Sequence, residues 1–426
     1  MTFLYNCSIR AFSLGIGLGA LFNRKARLLN RGRRGLLSHI EKEESGAERG
    51  MGTVWVHCAS LGEFEQGRPL IEELRRRHPA GTPEYRRIVV TFFSPSGYEI
   101  RKNYDRADAV YYLPGDTPEN ARRFVAAVRP QAAIFVKYEY WHNYLSALRA
   151  IGAKAYVVSA IFRPDMVFFR DNGMGRFMRK TLSLLDRFFV QNEASKELLA
   201  TIGFGPEQVT VSGDTRFDRV AALASAAPEL PWIATFVEDA QAPVMVCGST
   251  WPPDEEILLE LMKAHPEMKF IVAPHELDSA RIDSLIERSG RKGLRYTSLS
   301  ESTPEADLRE ATLLVIDTIG ILSGVYRYGQ IAYIGGGFGR GIHNTLEAAT
   351  WGMPIVLGPK YKTFAEAVEL VELGAAASVS DAGDLIRTVN DWLSDSRRLA
   401  FKGAEAESYV RSRTGATRII LDAIGE

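Results

Sequence analysis

The chain has 426 residues, and because a single hydrophobic core stops growing at about 250–300 residues, two domains are expected. Lysine plus arginine (52) balance aspartate plus glutamate (52), and hydrophobic residues make up 46% of the chain. This is the composition of a globular protein, and a formal charge of zero argues against a nucleic-acid binder that relies on global electrostatics. The three cysteines, Cys7, Cys58 and Cys247, form no Cys-x-x-Cys pair and none has a histidine at metal-ligand spacing. They suit a reducing compartment, with Cys58 and Cys247 read as small buried hydrophobes.

In chain order, residues 1–22 are mostly apolar, with Arg10 as the one charge and Gly15, Gly17 and Gly19 inside. Arg24, Lys25, Arg27, Arg31, Arg33 and Arg34 follow, with no acid until Glu41. About 20 apolar residues are needed to span a bilayer, so this is a marginal span. It predicts an uncleaved anchor or an interfacial helix whose basic run meets anionic cytoplasmic lipid. Residues 41–52 are polar and contain Gly46, Gly50 and Gly52, and read as a linker.

Short apolar runs then alternate with amphipathic ones. Strands are expected at 53–59, 87–93, 109–113, 132–136, 155–159, 188–191 and 208–211, with helices at 63–77, 118–128, 141–150 and 195–202. Residues 221–243, rich in Ala with Pro228, Pro231 and Pro243, break the pattern as a junction. A second series follows, with strands at 244–248, 269–273, 312–317, 330–335, 354–357 and 376–379. Helices are expected there at 254–263, 278–289, 321–326, 344–350, 364–373, 384–393 and 396–410. The pattern predicts an α/β chain with two Rossmann-like domains facing across a cleft, preceded by a membrane-anchoring segment. The expected divisions are 1–40 (anchor and basic segment), 50–220 (acceptor domain), 243–410 (donor domain) and 411–426 (C-terminal helix).

Six motifs fall at carboxyl ends of predicted strands, where open α/β sheets bind ligands. The most informative runs from Gly335 to Pro359. Glycines at 335, 336, 337, 339 and 341 precede His343-Asn344 and a helix expected near Thr345. Glycines and a helix N-terminus favour a phosphate, and Glu347 could reach sugar hydroxyls of a nucleotide. The spacing fits neither a dinucleotide fingerprint nor a Walker A loop, and a plain turn capped by Asn344 is the alternative. Glu63, three residues after Ser60, is either a catalytic carboxylate or half of a capping box. Glu139, among Tyr138, Tyr140 and Trp141, suits a carboxyl with a raised pKa or a contact to a polar substrate. Arg216 could hold a phosphate, or pair with Asp214 or Asp218. Pro274-His275 and Asp317-Thr318-Ile319-Gly320 complete the set. With seven dispersed histidines and no Asp-x-Asp, no metal site is expected.

At these residues the chain resembles the bacterial 3-deoxy-D-manno-octulosonic acid (Kdo) transferases, membrane-associated glycosyltransferases of the GT-B type. The carrying motifs are WVHCASLGE at 55–63, Glu139-x-Trp141, QNE at 191–193 and GDTRFD at 213–218. In the second half they are CGSTWPPDEE at 247–256, APHE at 273–276, DTIG at 317–320 and HNTLEAATWGMPIVLGPKYKTF at 343–364. The resemblance implies that Glu63 is the catalytic base and that Glu139 and Arg216 support the transition state. It implies that CMP lies on Pro274, His275, Ile319, Gly320, Ile321, Asn344, Thr345, Leu346 and Glu347. The implied reaction moves Kdo from CMP-Kdo to the lipid A precursor, lipid IVA, in lipopolysaccharide core synthesis, with inversion and without metal or other cofactor. The implied place is the cytoplasmic face of the inner membrane, with membrane lipid as a partner and no obligate protein partner. Where many members carry Arg, this chain has His275; where many carry Lys, it has Arg216; and where many carry Asn-Ala-Arg, it has Ser159-Ala160-Ile161. Rival readings are a GT-B enzyme using a UDP-sugar, a nucleotide-sugar epimerase and a non-catalytic nucleotide-binding scaffold.

Overall fold

The apolar runs form strands because a parallel sheet covered on both faces buries successive side chains alike. All six residues of Thr53–Cys58 and all six of Arg87–Phe92 are buried. The computed structural model describes residues 1–238, 240 and 243–426. It divides into two units, Met1–Arg219 with Thr414–Glu426, and Val220–Arg413.

The first unit holds β1 (Thr53–Cys58), β2 (Arg87–Phe92), β3 (Ala109–Tyr112), β4 (Pro130–Val136), β5 (Lys154–Ala160), β6 (Arg187–Val190) and β7 (Val209–Val211). They lie in the order β3-β2-β1-β4-β5-β6-β7, and all pairings are parallel. One face carries Trp55, Val89 and Phe135 against Phe124 and Tyr144. The other carries Val54, Val56, Ile88 and Val90 against Phe64, Leu70 and Leu74.

The second unit holds β8 (Val244–Thr250), β9 (Lys269–Pro274), β10 (Gly293–Arg295), β11 (Leu313–Val315), β12 (Ile331–Ile334), β13 (Ile355–Leu357) and β14 (Ala376–Ser378). Their order is β10-β11-β9-β8-β12-β13-β14, again parallel. The three-residue edge strand β10 was not expected, since Gly-Leu-Arg carries no apolar run. Each sheet is wound outward in two directions from its first strand. The turnaround lies between β1 and β4 in one unit and between β8 and β12 in the other.

The N-terminal segment requires a correction. Its helices are α1 (Thr2–Gly19), α2 (Arg24–Gly32) and α3 (Leu36–Ser45). Among the described residues no helix is long and apolar enough to cross a membrane, so the spanning option for 1–22 falls. The chain leaves the helix after Gly19, and Asn23 caps α2 through the N–H groups of Lys25 and Ala26. α1 docks by one side only. The Tyr5 hydroxyl donates to Asp116 at 2.5 Å, and Ile16 packs on the core. Phe3, Leu4, Leu14 and Leu18 remain exposed. Residues 24–40 are not a detached anchor either, because Leu29, Leu36 and Ile40 are buried in the first unit.

The linker expected at 41–52 begins as helix. Glu44 is fully buried, and its carboxylate accepts a two-pronged bond from Arg87 at 3.0 and 2.8 Å and another from the Tyr111 hydroxyl at 2.9 Å. A buried charge is tolerated when paired and hydrogen-bonded, and composition alone does not show the partner. The junction at 221–243 holds helix Pro231–Val237 and the end of helix Thr215–Ser225; Asp239, Gln241 and Ala242 lie outside the described residues. The C-terminal stretch ends in helix Ala416–Ile424, whose Ile420 and Leu421 enter the core of the first unit. Asp218 caps it, accepting from the N–H groups of Gly415 and Thr417 at 2.5 and 2.6 Å.

Candidate functional site

In doubly wound sheets the crevice opens where the strand order reverses, at the carboxyl ends. In the first unit that point is flanked by the segment after β1, carrying Glu63, and the segment after β4, carrying Glu139. Glu63 lies in the first turn of α4 (Leu61–Arg77), a favourable place for a carboxylate beside the helix dipole. Ser60 is the N-cap, accepting from the Gly62 N–H at 3.2 Å, and its hydroxyl donates to Glu63 Oε2. A capping box would send Glu63 back to the Ser60 backbone N–H; here the two side chains meet instead. α4 sits close to the sheet because Gly67 faces it. A methyl group there would lie 2.9 Å from Cys58 Sγ and 3.2 Å from Val136 Cγ2. Cys58 is fully buried, which pushes its thiol well up, and the Glu63 and Glu139 carboxylates add to the shift. Both carboxylates therefore act on the end of β1.

Glu139 is reached through a sharp turn. Lys137, the first residue after β4, has φ of 70°, a left-handed conformation uncommon for a residue with a side chain. Ser159 in β5 (φ 50°) and Ser249 in β8 (φ 55°) share it, so three of the four such non-glycine residues among those described lie at or next to strand carboxyl ends. Backbone strain of this kind costs about 1–3 kcal/mol and concentrates at functional sites. Glu139 Oε2 accepts from Trp141 Nε1 at 2.6 Å and faces His57 Nε2 at 3.0 Å. The Trp141 ring stacks on Phe93 with centroids 5.3 Å apart, and Phe93 stacks in turn on Phe12 of α1.

Arg216 is paired, as one of its two expected readings held. Its Nε donates to Asp214 Oδ2 at 2.9 Å. Asp214 is buried and also accepts from Gln66 Nε2 of α4 at 3.2 and 3.1 Å. The helix that carries Glu63 therefore also positions the partner of Arg216. Gln66 and Asp214 were not singled out from sequence, since a buried amide on an otherwise amphipathic helix gives only a faint signal.

In the second unit the turnaround is flanked by the segments after β8 and β12. Trp251, His275 and His343 form a stack there, with ring centroids 4.6 and 4.4 Å apart. Trp251 Nε1 donates to His343 Nε2 at 3.0 Å, which places the His343 proton on Nδ1. Burial, then His275, lowers the His343 pKa to about 4. Asp254, buried at the start of helix Pro252–Ala264, accepts from the N–H groups of Trp251 and Gly336 and from the Tyr333 hydroxyl. It fixes the glycine loop from beneath, and its burial pushes its pKa up.

Several loop glycines are required by backbone packing. A methyl group at Gly337 would lie 2.6 Å from Gly358 Cα, and Gly336 has φ of 93°. Glycine content here is therefore explained in part without a phosphate. The helix after the loop is shorter than expected, Leu346–Thr350. Asn344 Oδ1 accepts from the Leu346 N–H at 3.0 Å, and its amide donates to Glu347 at 3.0 Å. The Thr345 hydroxyl is buried without a hydrogen-bond partner. Pro274 ends β9, and Ile319 and Gly320 stand exposed before Ile321 in a loop anchored by Asp317. Burial works to raise the Asp317 pKa, but bonds from Thr297 and Arg295 outweigh it and lower it. All nine nucleotide-site residues expected from sequence thus lie in the second unit, after β9, β11 and β12, and Glu63, Glu139 and Arg216 in the first. Among the described residues no group of three or more His, Cys, Asp or Glu could hold a metal ion.

A family model described as 3-deoxy-D-manno-octulosonic-acid transferase (kdotransferase) matches residues 30–219. A 3-deoxy-D-manno-octulosonic acid transferase of Aquifex aeolicus is 28% identical over 353 residues, 80% of this chain and 86% of that protein. One of Bordetella pertussis is 29% identical over 391 residues, 87% of this chain and 86% of its own. The chain belongs to the 3-deoxy-D-manno-octulosonic acid transferase family. It is accordingly a glycosyltransferase. In fold it is similar to a UDP-GlcNAc 2-epimerase from Neisseria meningitidis, with a TM-score of 0.58 at 15% identity over 87% of this chain and 99% of that one. Anabaena HepE is similar too, with a TM-score of 0.55 at 13% identity over 88% and 99% of the two chains.

Proposed function

We propose that this chain transfers Kdo from CMP-Kdo to the lipid A precursor, lipid IVA, as a GT-B-type enzyme. The observation that supports the reading best is the pairing of Glu63 and Glu139 at the turnaround of the first sheet, in a chain related to Kdo transferases over most of its length. Glu63 takes the proton of the acceptor hydroxyl as its oxygen bonds to the anomeric carbon from the face opposite CMP. The bond from that carbon to the CMP phosphate oxygen breaks, and the configuration inverts. Arg216, held by Asp214, offers a positive charge near the reacting centre. CMP rests on Pro274-His275, Ile319-Gly320-Ile321 and Asn344 to Glu347. Loop N–H groups, His275 and the unpartnered Thr345 hydroxyl are the groups that meet its polar atoms. No metal is assigned to the step, so EDTA leaves transfer largely intact; a strict Mg²⁺ or Mn²⁺ requirement contradicts this.

The enzyme works on the cytoplasmic face of the inner membrane with α1 lying in the lipid interface. Supporting this, Phe3, Leu4, Leu14 and Leu18 are exposed beside the exposed cations Arg24, Lys25, Arg31 and Arg34. A donor screen tests the function: CMP-Kdo against UDP-sugars with lipid IVA, read by mass spectrometry of the product. A Kdo adduct from CMP-Kdo alone is expected. Turnover of a UDP-sugar, or its epimerisation without acceptor, overturns the reading.

A further inference from the structure

β1 carries one polar side chain among its innermost residues. His57 is fully buried, two residues after Trp55, so the two rings lie on the same face of the sheet. Its register partner on β2 is Thr91, also fully buried. His57 Nδ1 lies 2.8 Å from Thr91 Oγ1, and Nε2 lies 3.0 Å from Glu139 Oε2. Trp55 Nε1 reaches the same Thr91 Oγ1 at 2.8 Å.

The donor inventory orders this chain. The indole N–H only donates, so Thr91 Oγ1 accepts from Trp55 and has its own proton to give. An ionised carboxylate only accepts, so His57 Nε2 carries the proton that faces Glu139. The hydrogen-bond pattern thus assigns Nδ1 as the acceptor of the Thr91 hydroxyl proton. Every polar atom from Trp55 to Glu139 is then satisfied in one direction.

The chain ends in an asymmetry. His57 and Trp141 both donate to Oε2 of Glu139, and Oε1 has no hydrogen-bond partner among the described residues. A carboxylate needed only for folding gains most when both oxygens are held. Here one oxygen is fixed from below and from the side while the other is left for an incoming donor. The left-handed Lys137 brings the carboxylate back over β1 to make this contact.

We infer that Trp55, Thr91 and His57 form a positioning relay that locks Oε2 of Glu139, so that Oε1 is presented to a sugar hydroxyl in the transferase reaction. His57 is a positioning residue, since it acts through Glu139. The inference rests on the proposed transferase function, which makes Glu139 a substrate-facing group.

The test uses the full chain with CMP-Kdo and lipid IVA, and compares His57→Phe, His57→Gln, Thr91→Val and Glu139→Gln. His57→Phe keeps a ring but cannot donate, and kcat should fall by up to ~10²-fold, the scale of a misplaced reacting group. Its KM for CMP-Kdo should stay within about twofold, because the CMP groups lie in the other unit. His57→Gln presents an amide N–H in place of Nε2 and should restore most of the turnover. Thr91→Val is nearly isosteric, so it tests the relay even if His57→Phe folds poorly, and should lower kcat by a smaller factor in the same direction. Thermal unfolding of each variant separates these effects from lost structure. Wild-type kcat in folded His57→Phe or Thr91→Val, beside an impaired Glu139→Gln, overturns the relay alone. Equal loss in His57→Gln and His57→Phe also overturns it, because the hydrogen bond is then not what acts. Full turnover by Glu139→Gln overturns the assignment of Glu139, and the relay with it.

Discussion

The two units use one sheet plan but build their ends from different materials. At the turnaround of the first sheet, carboxylates are gripped by side chains rooted in the strands and in α4: Ser60 on Glu63, His57 and Trp141 on Glu139, and Gln66 on Asp214. At the turnaround of the second, glycine backbone and stacked rings dominate, with one buried carboxylate, Asp254, holding the loop by its N–H groups. The difference teaches how each end is suited to its task. A group that moves a proton must be held in place, whereas a surface that cradles a flat base and a phosphate needs close backbone approach and exposed N–H groups.

The comparison can be broken most sharply at Glu63. Glu63→Gln keeps size and hydrogen bonding but cannot take a proton, and turnover should fall about 10²–10⁴-fold with CMP binding nearly unchanged. Near-normal turnover would make the Ser60–Glu63 pair a local cap and move the base to Glu139. In the second unit, Glu347→Ala should weaken CMP binding by about 1.5–3 kcal/mol, the scale of one charge-assisted hydrogen bond. Calorimetry giving wild-type affinity would remove Glu347 from the donor site.

Packing provides the next contrast. Gly67→Ala places a methyl group against Cys58 and Val136, and overpacking of this kind costs about 1–3 kcal/mol. Because α4 carries Glu63, kcat should fall along with the denaturation midpoint, while CMP affinity, set in the other unit, should not. A lowered midpoint with unchanged kcat would show that α4 moves without moving the carboxylate.

The stack in the second unit should respond to pH where the first unit's carboxylates do not. The His343 pKa is depressed to about 4 from its ordinary 6.5 by burial and by His275. Between those values the unfolded chain binds the proton that the folded chain refuses, so stability falls as pH drops from about 6.5 toward 4 and this loss levels off below. His343→Gln, which can still accept from Trp251, should flatten that part of a melting-temperature profile. An unchanged slope would assign it to other groups. The smallest effect on folding is expected at α1. Leu14→Asp with Leu18→Asp alters exposed positions and should change stability by no more than about 0.5 kcal/mol each. Co-sedimentation with anionic vesicles should nevertheless drop, and retained binding would place membrane contact elsewhere.

The order of strands was legible because buried parallel strands leave continuous apolar runs, and thirteen of the fourteen strands fall on runs read that way. β10 was not, because an edge strand of three residues needs no apolar run. Helix α3 was missed for the opposite reason: Glu44 looks like solvent-facing polarity until Arg87 and Tyr111 are brought to it. The site followed the same division. Glu63, Glu139 and the glycine loop were visible because they directly follow strands.

The sequence by itself determined the alternation of elements, the family resemblance and the motifs at strand ends, since these depend on local periodicity and on which residue follows which. Only the tertiary structure decided which strand ends share a crevice. β4 lies beside β1 through a crossover that no local pattern encodes, and this brings Glu139 to His57 across 82 residues of sequence. The relay from Trp55 to Glu139 depends on sheet register, and a one-residue slip would turn His57 to the opposite face. Nor could local pattern decide that α1 lies against the first unit by one side. That depends on Asp116 accepting from Tyr5, a bond between groups 111 residues apart.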